Sequence, residues 1–168
     1  VDTDLPNSIY LLILCLILSG VFSASETSIT ATGRGKLLAI KERKPPSKSK
    51  AISWAIEDIH RALTVTLIGN NLVNIAASAM ATSIAVSFFG DKGLPLAIIL
   101  MTFLILIFGE ILPKTLAISH AERMILLLLP FLRFVWLVLS PLVWVVTFVI
   151  KVLGKMIHLD ISLQRAFI

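Results

Sequence analysis

The chain has 168 residues, 57% of them hydrophobic and 15% charged, with mean hydropathy +0.96 and net charge +5. These values exclude a soluble globular domain, and the charges gather between long apolar runs as they do in polytopic membrane proteins. No catalytic pattern of a soluble enzyme and no nucleic-acid footprint is present, and the basic residues are placed to face a membrane surface. Cys15 is the only cysteine, so the chain forms no internal disulfide, and its place within an apolar run marks it as a small buried hydrophobe.

The first apolar segment covers residues 8–32. Asp2 and Asp4 precede it and no basic residue does, so it reads as a retained span, not a cleaved leader. Its first half is hydrocarbon. Its second half, Ser19-Gly20-Val21-Phe22-Ser23-Ala24-Ser25-Glu26-Thr27-Ser28, is small, polar and acidic. From Arg34 to Arg61 there are eight Lys or Arg against three acidic residues, which marks residues 33–61 as a cytoplasmic connection by the positive-inside rule. Lys44-Pro45-Pro46-Ser47-Lys48 cannot be helix interior. After it, Ile52, Ala55, Ile56, Ile59 and Leu63 fall at helical spacing, which predicts an amphipathic helix feeding the next span.

The second span covers residues 62–89, and its outer half is rich in Ala, Ser and Thr, suited to close helix packing or a dimer face. Gly90-Asp91-Lys92-Gly93 is a tight external turn. A third span, residues 94–118, returns inward through Phe108-Gly109-Glu110-Ile111-Leu112-Pro113-Lys114. Residues 124–150 form a further apolar run, interrupted by Pro130, Arg133 and Ser140-Pro141. One more crossing would leave Lys151, Lys155 and Arg165 outside, so a re-entrant or interfacial pair of half-helices is expected there. Residues 151–168 read as an amphipathic juxtamembrane helix. The expectation is an all-α membrane protein of three crossings, N-terminus out and C-terminus in. The chain ends at Ile168 with no evident stop, as though a cytosolic domain follows.

The chemistry lies where polar residues enter these runs. Asn70, Asn71 and Asn74 sit in the second span, and a polar group left unsatisfied in hydrocarbon costs several kcal/mol, roughly. At about 1.5 Å per residue, Ser23 lies roughly 22 Å and Glu110 roughly 24 Å from the outer boundary. Asn70 and Asn74 lie roughly 12 and 18 Å from the inner one. Against hydrocarbon about 30 Å thick, three spans bring polar clusters to one layer. Asn70 and Asn74 share a face, whereas Asn71 points about 100° away. Gly69 and Gly109 permit local unwinding or close approach, and Pro113 removes the α-helical partner of the Gly109 carbonyl. Such hard oxygen ligands suit Mg²⁺, Ca²⁺ or Na⁺ and argue against zinc or copper. Plainer roles compete: a capping box at Ser23 to Glu26, interhelical amide glue at Asn70 or Asn74, and a Glu110–Lys114 pair one turn apart.

Ser23-Ala24-Ser25-Glu26-Thr27, Gly69-Asn70-Asn71-Leu72-Val73-Asn74 and Gly109-Glu110-Ile111-Leu112-Pro113-Lys114, in that order, resemble the transmembrane domain of the CorC / cyclin M (CNNM) family of magnesium transporters. The resemblance implies a homodimer in the cell (inner) membrane, each subunit with three membrane helices and a juxtamembrane belt, exporting Mg²⁺ in exchange for Na⁺. It implicates Ser23, Asn70, Asn74 and Glu110 as metal ligands, with backbone oxygen near Gly69 or Gly109. It also implies cytosolic CBS-type domains after this segment. Ser25, Glu26, Thr27, Ser28 and Asn71 are candidates for a second, Na⁺-coordinating set. The chain is not expected to be an enzyme: a Ser25/Lys114 hydrolase lacks an oxyanion hole. A membrane Mg²⁺ sensor or scaffold that binds without transporting is the alternative.

Overall fold

The structure is a computed structural model that describes residues 4–43 and 46–156. Among them every element is helical: α1 (Asp4–Arg43), α2 (Pro46–Glu57), α3 (Ile59–Phe89), a 3₁₀ turn (Gly90–Lys92), α4 (Gly93–Leu104), a π-helical segment (Ile105–Ile111), α5 (Leu112–Ser119) and α6 (Ala121–Met156). Three stretches are long and apolar enough to cross a membrane: Pro6–Arg43, Ile59–Ser119 and Ala121–Val146. The middle one is a hairpin, folded back where Gly90 takes φ 60°. This is an all-α, multi-pass membrane protein.

Pairings along the helices give their directions. Cys15 of α1 packs with Ala77 and Ala81, and Phe22 lies against Gly69, so α1 and α3 run antiparallel. Cys15 also meets Met101, Ser19 meets Gly109 and Ala24 meets Ala117, so α1 runs parallel to the α4–π–α5 strand of the hairpin. Lipid is as apolar as leucine, so contact inside a membrane depends on close backbone approach. Small residues supply it. A Cβ on Gly20 would lie 3.1 Å from both the Phe108 carbonyl oxygen and Pro113 Cγ, and one on Gly93 would run into the Ala85 carbonyl.

Beyond Thr32 the character changes. Gly33 has φ 67° and ψ 165°, which interrupts α1 with a backbone conformation that favours glycine. Past that break Leu37 and Ile40 bury themselves with Ala51, Ile52 and Ala55 of α2. α2 in turn rests on α6, with the Trp54 and Trp136 ring centroids 6.2 Å apart. Pro46 opens α2, a position where its missing donor costs nothing.

Two expectations need correction. The amphipathic helix predicted from Ile52 to Leu63 is two helices. Asp58 leaves helical geometry and caps α3 by accepting from the Arg61 backbone N–H at 2.9 Å, so Ile59 and Leu63 belong to the next element. Residues 124–150 do not form half-helices: α6 runs unbroken through Pro130 and Pro141 and is long and apolar enough to cross. The two prolines are eleven residues, about three turns, apart. Both therefore fall on one exposed side, while Ile125, Leu128, Leu129 and Leu132 form the buried one. The lost hydrogen bonds thus fall away from the packed face, and the helix continues. Of the expected juxtamembrane helix, Lys151–Met156 extend α6 and the remainder lies outside the described residues.

Candidate ion-binding site

Three elements meet at Ser19, Asn70 and Gly109, with Ser23 one turn along α1 and Asn74 one turn along the antiparallel α3, in the opposite direction. Ser19 and Ser23 are four apart on α1, as Asn70 and Asn74 are on α3, so each pair projects from one face of its helix. Ser19 donates its Oγ–H to Asn70 Oδ1 at 3.0 Å. Ser19 and Ser23 are fully buried. Ser23 Oγ and Asn74 Oδ1 are buried too, and neither has a hydrogen-bond partner. Leaving such atoms unsatisfied costs about 1–3 kcal/mol each, and these two lie one turn to either side of the bonded serine–amide pair.

The third wall comes from the π-helical segment. Leu112 donates its backbone N–H to Ile107 O, five residues back. That register takes from Phe108 the amide an α-helix would give it, and Pro113 has none to offer in its place. Pro113 likewise cannot serve Gly109 in the α register. Two successive carbonyls, of Phe108 and Gly109, thus lose their ordinary donors. Gly109 is buried, and a Cβ there would stand 2.6 Å from Ser19 Oγ. Glu110 follows in the same segment, half-buried, and its carboxylate makes no hydrogen bond or ion pair among the described residues.

The other candidates are placed differently. Gly69 lies within unbroken α3 and is not unwound; a Cβ there would come within 2.5 Å of two ring carbons of Phe22, so this glycine serves close approach. Ser25 donates to Val21 O at 2.6 Å, and Asn71 is exposed and donates from Nδ2 to Leu67 O at 2.9 Å. Both satisfy their own helices. The capping box does not form, because α1 runs through Ser23 to Glu26 as helix interior. Glu26 pairs with Lys114 at 3.8 Å, which takes Lys114 away from Glu110. Ser28 Oγ and Thr32 Oγ1 are also buried without partners, but Ser28 lies about 140° round α1 from Ser23.

Ser19 is the residue that sequence reasoning passed over. Its signal was present, since Ser19 and Ser23 repeat the four-residue spacing of Asn70 and Asn74. Among the described residues no three His, Cys, Asp or Glu side chains cluster where they could together hold a metal ion. Any cation held here is therefore held by hydroxyl, amide and carbonyl oxygens with one carboxylate.

The chain matches, over residues 10–166, the family described as the cyclin M transmembrane N-terminal domain. It is 37% identical over 158 residues to a UPF0053 protein of Haemophilus influenzae, covering 94% of this chain and 37% of that one. It is 33% identical over 139 residues to the UPF0053 inner membrane protein YfjD of Escherichia coli, covering 83% and 32% respectively. A protein of Haemophilus influenzae named polyamine export protein is 28% identical over 154 residues, covering 84% and 35%. The chain thus spans about a third of the length of these relatives. Sequence, helical architecture and match together lead to one conclusion: this chain belongs to the cyclin M transmembrane domain family.

Proposed function

We propose that this domain is the membrane part of a secondary Mg²⁺ transporter working by alternating access, with the ion held by Ser23, Asn70, Asn74 and Glu110. The observation that carries this reading is that two buried oxygens without partners, Ser23 Oγ and Asn74 Oδ1, each lie one turn along their helix from the Ser19–Asn70 hydrogen bond. Their chemistry supports a hard cation. Mg²⁺ gives up its water reluctantly, so several neutral oxygens must stand in for its shell while Glu110 offsets charge. One carboxylate among neutral ligands holds a divalent ion weakly, as a carrier that must release it requires. The carbonyls of Phe108 and Gly109 are further oxygen donors in that scheme.

The remaining parts of the reading rest on the family resemblance and on charge. Eight basic residues between Arg34 and Arg61 support a cytoplasmic connection and an outward N-terminus. A homodimer, the inner membrane, Na⁺ as the exchange ion and CBS-type domains beyond this segment follow from the resemblance. The proposed Na⁺ set draws less support, because Ser25 and Asn71 satisfy their own helices and Glu26 pairs with Lys114. A relative named polyamine export protein favours a second reading, export of an organic polycation, since the same oxygens accept hydrogen bonds from alkylammonium groups.

Flux through the full-length protein in proteoliposomes tests these readings. Gradient-dependent Mg²⁺ flux is expected, and it is expected to vanish in Asn70→Ala and Glu110→Ala while both variants elute as the wild type does. Mg²⁺ binding by calorimetry without flux would make the protein a sensor or scaffold. Spermidine flux with no Mg²⁺ binding would establish the polycation reading. Unchanged Mg²⁺ affinity in both variants would sink the site.

A further inference from the structure

We propose that Ser19 is a positioning residue for the ion site: it fixes which end of the Asn70 carboxamide is presented to the cation. The proposal rests on the Mg²⁺ reading above and adds to it a residue that is not itself a ligand. A carboxamide has an oxygen and an NH₂ group of nearly equal shape and opposite electrostatics. A half-turn about its last torsion, which is soft, exchanges them. With the oxygen toward a cation the group is a ligand. With the NH₂ there it repels the ion. An asparagine in a cation site therefore needs a partner that tells its two ends apart.

Ser19 is placed to do this. Its hydroxyl donates to Asn70 Oδ1 at 3.0 Å, holding the oxygen on the α1 side, where Ser23 lies one turn further along the same face. The hydroxyl is sheltered, since Ser19 is completely buried, while Asn70 is half-buried. Hydroxyls in helices commonly return their proton to their own backbone, as Ser25, Thr30 and Thr66 do here. Ser19 spends its proton on another helix. An amide oxygen has two lone pairs, so one remains for a metal after Ser19 has taken the other.

Gly109 makes the arrangement possible. A Cβ at that position would come within 2.6 Å of Ser19 Oγ, so only a glycine leaves the hydroxyl room to reach Asn70. One contact thereby links α1, α3 and the π-helical segment. It also gives Gly109 a second purpose beside its carbonyl.

The test is calorimetric titration of the detergent-purified full-length protein with Mg²⁺ alone. Ser19→Ala is expected to weaken binding about tenfold, the lower end for loss of a group that orients a metal ligand. Ser19→Thr, which keeps the donor, is expected to recover most of that loss. The decisive arm is the Asn70→Asp background. A carboxylate presents oxygen whichever way it turns, so there Ser19→Ala is expected to cost less than about twofold. A residue that merely supports the fold, or that ligates the ion directly, would cost the same in both backgrounds, and that result overturns the proposal. Wild-type affinity in Ser19→Ala overturns it as well, and so does loss of all binding in Asn70→Asp. Should Ser19→Ala not elute as the wild type does, Ser19→Cys, with a feebler donor of similar size, replaces it with the same expected direction. Absence of Mg²⁺ binding by the wild type would instead defeat the transporter reading on which this one rests.

Discussion

Lys114 on α5 pairs with Glu26 on α1 at 3.8 Å, although Glu110 lies one turn before it on its own chain. The pair ties two parallel segments together and leaves the Glu110 carboxylate uncommitted. Both partners are substantially exposed, and such pairs contribute about 0–1 kcal/mol. Lys114→Gln should therefore shift thermal unfolding in detergent only slightly and leave Mg²⁺ affinity within about twofold of wild type. A tenfold change in affinity would mean that Lys114 belongs to the site.

Gly69 and Gly93 offer a matched comparison. At Gly69 an added methyl meets the edge of the Phe22 ring, a side chain that can shift, although Phe131 stands behind it with a centroid separation of 5.5 Å. Gly69→Ala should cost about 1–3 kcal/mol, the range for overpacking, and Phe22→Leu should recover part of it. At Gly93 the obstacle is the Ala85 backbone, which cannot yield, so Gly93→Ala should cost more than Gly69→Ala. Thermal unfolding of the three variants decides the order, and an equal cost at both glycines would refute the distinction.

Trp136 holds α2 and the start of α3 against α6. It meets the Trp54 ring of α2 and receives the Arg61 guanidinium 5.3 Å from its centroid. Each contact is worth about 0.5–1.5 kcal/mol. Trp136→Leu should speed amide exchange in Pro46–Glu57 while protection around Ser19 and Asn70 stays as it was. Uniform loss of protection would show instead that α6 supports the whole bundle.

Pro113 sets function against stability. Pro113→Ala returns an N–H to the segment and removes a ring from the neighbourhood of Gly20. The variant should melt higher and bind Mg²⁺ more weakly, because a carbonyl now freed would regain a helical donor. Unchanged affinity would remove the Phe108 and Gly109 carbonyls from the ligand set.

Much of the architecture was legible because apolar run length and turn chemistry dominate it. Gly90-Asp91-Lys92-Gly93 between two apolar runs permits little except a hairpin. The family was legible from three motifs in order. The errors arose where a local rule met a tertiary circumstance. Pro130 and Pro141 are helix breakers by rule, but a spacing of about three turns puts both on an unpacked side. Asp58 is a good N-cap, yet the apolar spacing from Ile52 to Leu63 continues across it and concealed the joint. The π register left no trace in composition, because Gly109 and Pro113 are equally compatible with an ordinary kink. Ser19 was missed because it sits where hydrocarbon gives way to polar residues, and reads as the border of a cluster instead of its first member.

Gly33 divides α1 into two levers on a single swivel. From Asp4 to Thr32 the helix is a stiff strut carrying Ser19 and Ser23, and beyond it a basic arm is clasped to α2 through Leu37 and Ile40. Torsion at that one residue changes the attitude of the arm without bending the strut. A pull applied to the arm would thus be spent first in rotation at Gly33. Only when α2 and Trp136 resist would it travel upward into the serine-lined stretch. The joint therefore sets how much of a disturbance in the arm the serine-lined stretch ever feels.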